Sequence, residues 1–303
     1  MRRLTMKTCK AFALGVLLTS ALALPASQAA PAPQEKQGNI SAEQQTRDKA
    51  SEKRKEVIEE AVTAVQKTRE ALRHLEAGEN DKALDALSLA IGKLETVIAL
   101  NPELALAPVD VKVITLDLIA DVDAVRKAVK EVKDLIEDDR IQEARLLLKD
   151  LASEVIVRVI NIPLATYPDA IKEVVPLIDQ GKIKEAKAAL EVALSSLVVV
   201  DHISPLPVLR AEAMLDEAAK LADKKDRSKE ENQKLEKLLT DAGSQLDLAE
   251  ALGYGTREDY KPLHELLEEI KEKTSGGKSG QGKLFHDLKE RLEKHLEGFW
   301  NRK

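Results

Sequence analysis

The 303-residue chain holds one cysteine, Cys9, only three Tyr, three Phe and one Trp, and beyond Pro25 no apolar run long enough to cross a bilayer. Each scarcity removes a class of function. With no thiol after Cys9, cysteine catalysis, Cys-ligated zinc and a disulfide framework all fall away, so stability must come from an apolar core, which a chain of this length can build. Few rings leave few platforms for stacked bases, and 53 carboxylates against 47 Lys and Arg give a net charge of −6, a balance that repels nucleic acid. A phosphate loop is missing too. Gly276-Gly277-Lys278-Ser279 offers the Gly-Lys-Ser end of that motif, but Glu272 stands where its first glycine belongs and the segment before it reads as helix.

What is present begins with the N-terminus. Basic residues Arg2, Arg3, Lys7 and Lys10 lead into the apolar stretch Ala11 to Leu24, then Pro25 and the small residues Ser27, Gln28, Ala29 and Ala30. That order reads as a secretory signal peptide over residues 1–29, cut after Ala29, and it predicts an exported protein. Its removal takes four basic and no acidic groups from the chain, moving the charge from −6 to −10. Residues 30–50, with Pro31, Pro33, Gln34, Gln37 and Gly38, read as a flexible tether grading into a helix.

Leu135 to Leu164 lies ungapped on Leu177 to Leu206, 42 positions later, with ten of thirty positions identical, among them Ile136/Ile178, Ile141/Ile183, Ala144/Ala186, Leu148/Leu190 and Pro163/Pro205. Such fixed-period likeness marks stacked supersecondary units. A fainter copy sets Gly78, Ala83, Leu87 and Pro102 on Asp139, Ala144, Leu148 and Pro163. Apolar residues recur at three and four along each unit, as in Ile58, Ala61, Val62, Val65, Leu72 and Leu75, and turns fall at Gly78, Asp138 to Arg140, and Gly181. The expected fold is all-α: tandem antiparallel helical hairpins, with Val109 to Ile114, where apolar and polar residues alternate, the better candidate for one short β segment, and with a small sheet as the alternative if two further β-branched runs join it. Val155 to Ile162 and Leu197 to Ile203 are β-branched enough for strands; helix is preferred, because each continues a helical stripe without a breaker, but periodicity leaves both open. A longer helical pair follows Pro207 and closes at Gly253 and Gly255 around Tyr254. The domain then ends near residue 273, a Gly/Ser linker spans 274–282, and residues 283–303 form a separate amphipathic helix bearing Trp300.

Candidate chemistry is sparse. His264 and Glu268 have ligand-pair spacing but no third ligand, and His286 and His295, nine apart on one helix, cannot share a metal. Asp201, His202 and Ser204 are too close in sequence to form a relay without a fold-back. No catalytic residue, metal site or cofactor is therefore expected. Two pH-sensing candidates remain: His202 in the joint Asp201 to Pro207, and the carboxylates Asp117 and Asp121, read as one helical turn apart on a partly apolar face, or else as a solvated first turn favoured by the helix dipole. A cleft lined by Tyr167, His202, Pro163, Pro205 and Pro207 is the candidate ligand site.

The joints carry a family resemblance. Ala107-Pro108-Val109-Asp110-Val111, Asn161 to Ala170, Asp201 to Glu212 and Leu252-Gly253-Tyr254-Gly255 are similar to the YfdX family of bacterial stress-related proteins over about residues 55 to 275. The resemblance implies a helical, oligomerising, exported protein associated with acid and drug stress, with chaperone-like action, and supplies no catalytic residue to transfer. Expected partners are copies of itself, unfolded client proteins or, alternatively, small molecules, and the terminal helix could also touch a membrane surface.

Overall fold

The structure, a computed structural model, describes residues 33–301, with side chains from residue 44. The expected signal peptide and its cut after Ala29 lie outside the described residues. Residues expected to form a tether are instead helix α1, Pro33–Lys55, which continues unbroken into the charged stretch and buries Thr46 and Ala50.

Helices α2 (Glu59–Glu76) and α3 (Asn80–Leu100) form the first hairpin. Its seam is rich in alanine, Ala61, Ala64 and Ala71 against Ala83, Ala86 and Ala90, which lets the two backbones approach closely around Leu87 and Leu94. Then come β1 (Leu106–Leu116), α4 (Val122–Glu137), α5 (Ile141–Leu148), β2 (Glu154–Pro163), α6 (Tyr167–Lys172), α7 (Val174–Asp179), α8 (Ile183–Ser195) and β3 (Val198–Pro205). The chain closes with α9 (Leu206–Ala222), α10 (Lys229–Ala251), α11 (Arg257–Thr274) and α12 (Gly282–Trp300).

The repeat is visible in the turns. Gly78, Asp139 and Gly181 occupy matching places and all have positive φ, 76°, 59° and 71°. Each turn makes the same two bonds: Glu79 N to His74 O and Gly78 N to Leu75 O, Arg140 N to Leu135 O and Asp139 N to Ile136 O, Lys182 N to Leu177 O and Gly181 N to Ile178 O. That pairing is the Schellman ending, in which a left-handed residue returns two amides to the last helical carbonyls.

The mostly helical fold holds, with one correction. Val155 to Ile162 and Leu197 to Ile203, preferred as helix, lie but for Leu197 in strands β2 and β3, which with β1 make an antiparallel sheet in the order β1-β2-β3. The repeated unit is therefore helix, turn, helix, strand. Valine and isoleucine lose side-chain freedom in a helix and gain cross-strand partners in a sheet, and β1 supplies a partner for β2 from Leu106↔Pro163 to Leu116↔Glu154. The fainter copy departs here: Leu94 to Leu100, set on Val155 to Asn161, stays in helix α3. Consequently Pro163 and Pro205 each end a strand, whereas Pro102 lies in the turn between α3 and β1.

Two apolar clusters form the body. The first joins α2, α3, α6, α7 and α8 with Ala107 and Ile162; the second joins α9 to α12 with Val155. The terminal helix is not separate: Phe285, Leu288, Leu292, Leu296 and Phe299 are all buried in the second cluster.

Candidate functional site

His202 sits on β3 opposite Val157, on the sheet face that α1 crosses. Its Nδ1 lies 2.8 Å from the Trp300 carbonyl oxygen, which can only accept, so Nδ1 carries the proton. The imidazole stacks on the Trp300 indole with centroids 4.8 Å apart and planes 21° apart, and Lys49 Nζ stands 4.9 Å from the centre of that ring. One histidine thus ties the end of α12 to the sheet. Beside it, Asp201 accepts two bonds of 2.7 Å from Arg158, which hold its carboxyl below the usual range.

A cleft of about 410 Å³ opens next to His202. Val159, Val200, Leu104, Leu106, Pro108 and Ile58 give it apolar walls, and Lys53, Glu56, Asn101, Asn161 and His202 give it polar ones. The expected cleft is only partly assembled. Tyr167 is wholly buried in the first cluster, Pro205 and Pro207 are buried at the start of α9, and Pro163 pairs with Leu106 without lining the cleft itself. Of the five, only His202 lines this opening.

Asp117 and Asp121 do not share a helical face. β1 ends at Leu116 and α4 begins at Val122, because Asp121 is the N-cap, its Oδ1 accepting from Ala124 N at 2.7 Å. Asp117 lies in the connection and accepts 2.8 Å from Arg210 of α9. Each carboxylate has a partner of its own, and the shared helical face on which the pair was expected does not exist. Likewise His264 neighbours Asp247 at 3.5 Å, while Glu268 pairs with Lys271. Among the described residues no three His, Asp or Glu side chains come together as a metal site.

Three polar clusters escaped the sequence reading. The first is built on Tyr254. Its hydroxyl donates to Glu154 Oε2 at 2.8 Å and accepts from Ser153 N at 3.0 Å, while its carbonyl accepts from the Tyr260 hydroxyl and from His295 Nε2 at 2.9 Å. Burial pushes both phenol pKa values well up, so both remain donors. The second is Arg227, buried in the α9–α10 turn, which donates to the carbonyls of Leu221 (3.4 Å), Ala222 (2.8 Å), Lys224 (3.2 Å), Thr274 (3.2 Å) and Lys278 (2.7 Å) and to Asn232 Oδ1 (3.0 Å). It fastens the Gly/Ser segment that read as a free linker. A lone arginine beside Lys224 and Lys225 was the available signal, because only a guanidinium forks to several acceptors.

The third cluster is Glu212 on α9, a carboxylate within the apolar run Leu209 to Leu215. Burial raises its pKa, the charges of Asp216 and Glu293 raise it further, and Lys289 of α12 with a hydrogen bond to Gln45 of α1 lower it. The sign follows from linkage: a carboxyl whose folded pKa exceeds its unfolded value holds its proton longer when folded, so stability falls as pH rises through the folded pKa. Glu212→Gln is accordingly expected to raise the melting temperature at pH 7. The gain should vanish below the ordinary glutamate range, as thermal unfolding at stepped pH will register.

The YfdX protein family matches residues 64–203 of the chain. Among solved structures, that of Salmonella Typhi YfdX is similar at 17% identity, covering 50% of this chain and 93% of its own, with a TM-score of 0.35. No curated protein matches the chain.

Proposed function

We propose that this is a binding protein of the YfdX class, the family to which residues 64–203 are similar, exported to the periplasm, which holds unfolding client proteins under acid stress and turns over no substrate. The observation that carries the reading is the α4–α5 hairpin. In the sister unit Ile178 and Leu190 are buried, Leu190 completely, against the first hairpin; the matching Ile136 and Leu148 are 45% and 50% exposed. Ile119, Ile141 and Leu146 add to the uncovered surface at 94%, 51% and 62%. Exposed apolar side chains on and beside one hairpin give apolar segments of other chains something to bind. Acid favours the reading in a second way, since the cost of burying Glu212 disappears as pH falls, keeping α1, α9 and α12 together while less tolerant proteins unfold.

The test is light scattering of an acid-sensitive client from pH 7 to pH 3. The parent protein is expected to suppress aggregation at low pH, and Leu146→Lys with Leu148→Lys to lose most of that protection while folding normally, because both positions are exposed. Equal aggregation with and without the parent at every pH removes the proposal. The cleft beside His202 supports a second reading, capture of a small amphipathic molecule, since its volume and mixed walls suit such a ligand. Saturable one-to-one heat on titration with a compound panel, without client protection, would favour it.

A further inference from the structure

Asn161 is at odds with its surroundings. From Val155 to Ile160 strand β2 is valine and isoleucine apart from Arg158, the repeat sets Ile203 at the position matching Asn161, and asparagine is depleted in strands. The residue is nevertheless only 5% exposed. Its Nδ2 donates to the carbonyls of Val159 (3.2 Å) and Val198 (3.3 Å), and because a carbonyl can only accept, the amide is fixed with its nitrogen on that side. Its Oδ1 is thereby turned the other way, in the wall of the cleft beside His202, and among the described residues no donor reaches it. A buried polar atom left in this state calls for a partner from outside the fold.

The other polar walls present the same half of a hydrogen bond. Asn101 gives its Nδ2 to the Val97 carbonyl at 3.1 Å, which leaves its Oδ1 to accept. His202, with its proton on Nδ1, offers the lone pair of Nε2. Lys53 is the one cation among the lining residues, and it donates to both oxygens of Glu56 at 3.1 and 3.0 Å, so the two charges cancel and the carboxylate keeps further lone pairs. Lys49 stands over the Trp300 ring and does not line the cleft.

We propose that this cleft selects an amphipathic amine, whose ammonium head donates to Asn161 Oδ1 and the acceptors around it while its apolar body lies along Val159, Val200, Leu104 and Leu106. The proposal rests on the small-molecule reading of the cleft and names the ligand class. An ammonium carries donors and no acceptor, so it matches such walls. A carboxylate would bring acceptors to acceptors and give up its water without replacement. A neutral hydroxyl supplies one donor and no charge. The field of a chain with a net charge of −6 also draws cations toward a cleft whose own charges cancel.

Calorimetry at neutral pH with phenylbutylamine, phenylbutanol and phenylpentanoate, one apolar body under three head groups, tests the class. The amine is expected to bind one-to-one and about tenfold more tightly than the alcohol, and the carboxylate to give no saturable heat. Glu56→Gln should weaken the amine about threefold and leave the alcohol unchanged, since it removes charge and keeps an acceptor. The Glu56 side chain is 55% exposed, so that variant folds as the parent does. Asn161→Leu should abolish the preference for the amine, with a melting curve to confirm that the chain is folded. Alcohol or carboxylate binding as tightly as the amine overturns the ligand class and leaves the cleft a ligand site. Silence from all three probes removes the small-molecule reading as well. Amine binding that neither variant alters places the site elsewhere and overturns the proposal.

Discussion

Arg227→Ala is expected to cost on the order of 4 kcal/mol, a fall of roughly 10 °C in melting temperature for a body of this size. The guanidinium is buried and donates to five carbonyls and one side-chain oxygen drawn from three stretches of chain: the α9 end with its turn, the α10 start, and the end of α11 with the segment after it. Alanine leaves those acceptors without their donor, and desolvated carbonyls are expensive to leave unpaired. Loss should be felt first at α12, whose only covalent link to the body runs through Lys278. Trp300 fluorescence should therefore change at lower temperature than the helical signal of the parent, and calorimetry gives the size of the loss. Arg227→Lys should recover little, because an ammonium cannot fork to Thr274 and Lys278 together with the α9 carbonyls.

Gly255→Ala is expected to be nearly as damaging, about 3 kcal/mol, from two sources that a neighbouring glycine separates. Gly255 has φ +125°, and a Cβ there would stand 2.8 Å from His295 Cε1 and 2.9 Å from Tyr260 Cε2. It would press directly on the rings that bond the Tyr254 carbonyl. Gly253 has φ +82° and open space where its Cβ would go, so Gly253→Ala bears the backbone strain alone, about 1 kcal/mol. Urea unfolding of the pair measures the difference. If the two variants lose equal stability, the ring cluster around Tyr254 is not what holds α12.

The hairpins and their turns were legible from sequence because both signals are local. Apolar spacing of three and four gave the helices, and Gly78, Asp139 and Gly181, aligned by the repeat, proved to share one backbone conformation. The strands were not, since Val155 to Ile162 follows α5 without proline or glycine, and its preference for a sheet depends on β1, some forty positions earlier, lying within reach. The same distance hid the site residues. Asp117 and Asp121 look like neighbours on one helix until Arg210 and the Ala124 amide claim one each. Tyr254 stood out between two glycines, yet its partners Glu154 and His295 are about 100 and 41 positions away. His202 was marked by its titration range, and nothing local told that its ring would lie on the last aromatic of the chain.

The two sister hairpins place matching leucines in opposite circumstances: Leu190 is sealed inside and Leu148 half in water. Truncating the first would hollow the interior at about 2–5 kcal/mol, whereas exchanging the second costs next to nothing in folding. One repeated unit therefore commits its leucine to architecture and the other leaves it on offer to outside molecules, so replacement at Leu148 reads contact with a partner alone, whereas the same replacement at Leu190 would confound contact with folding.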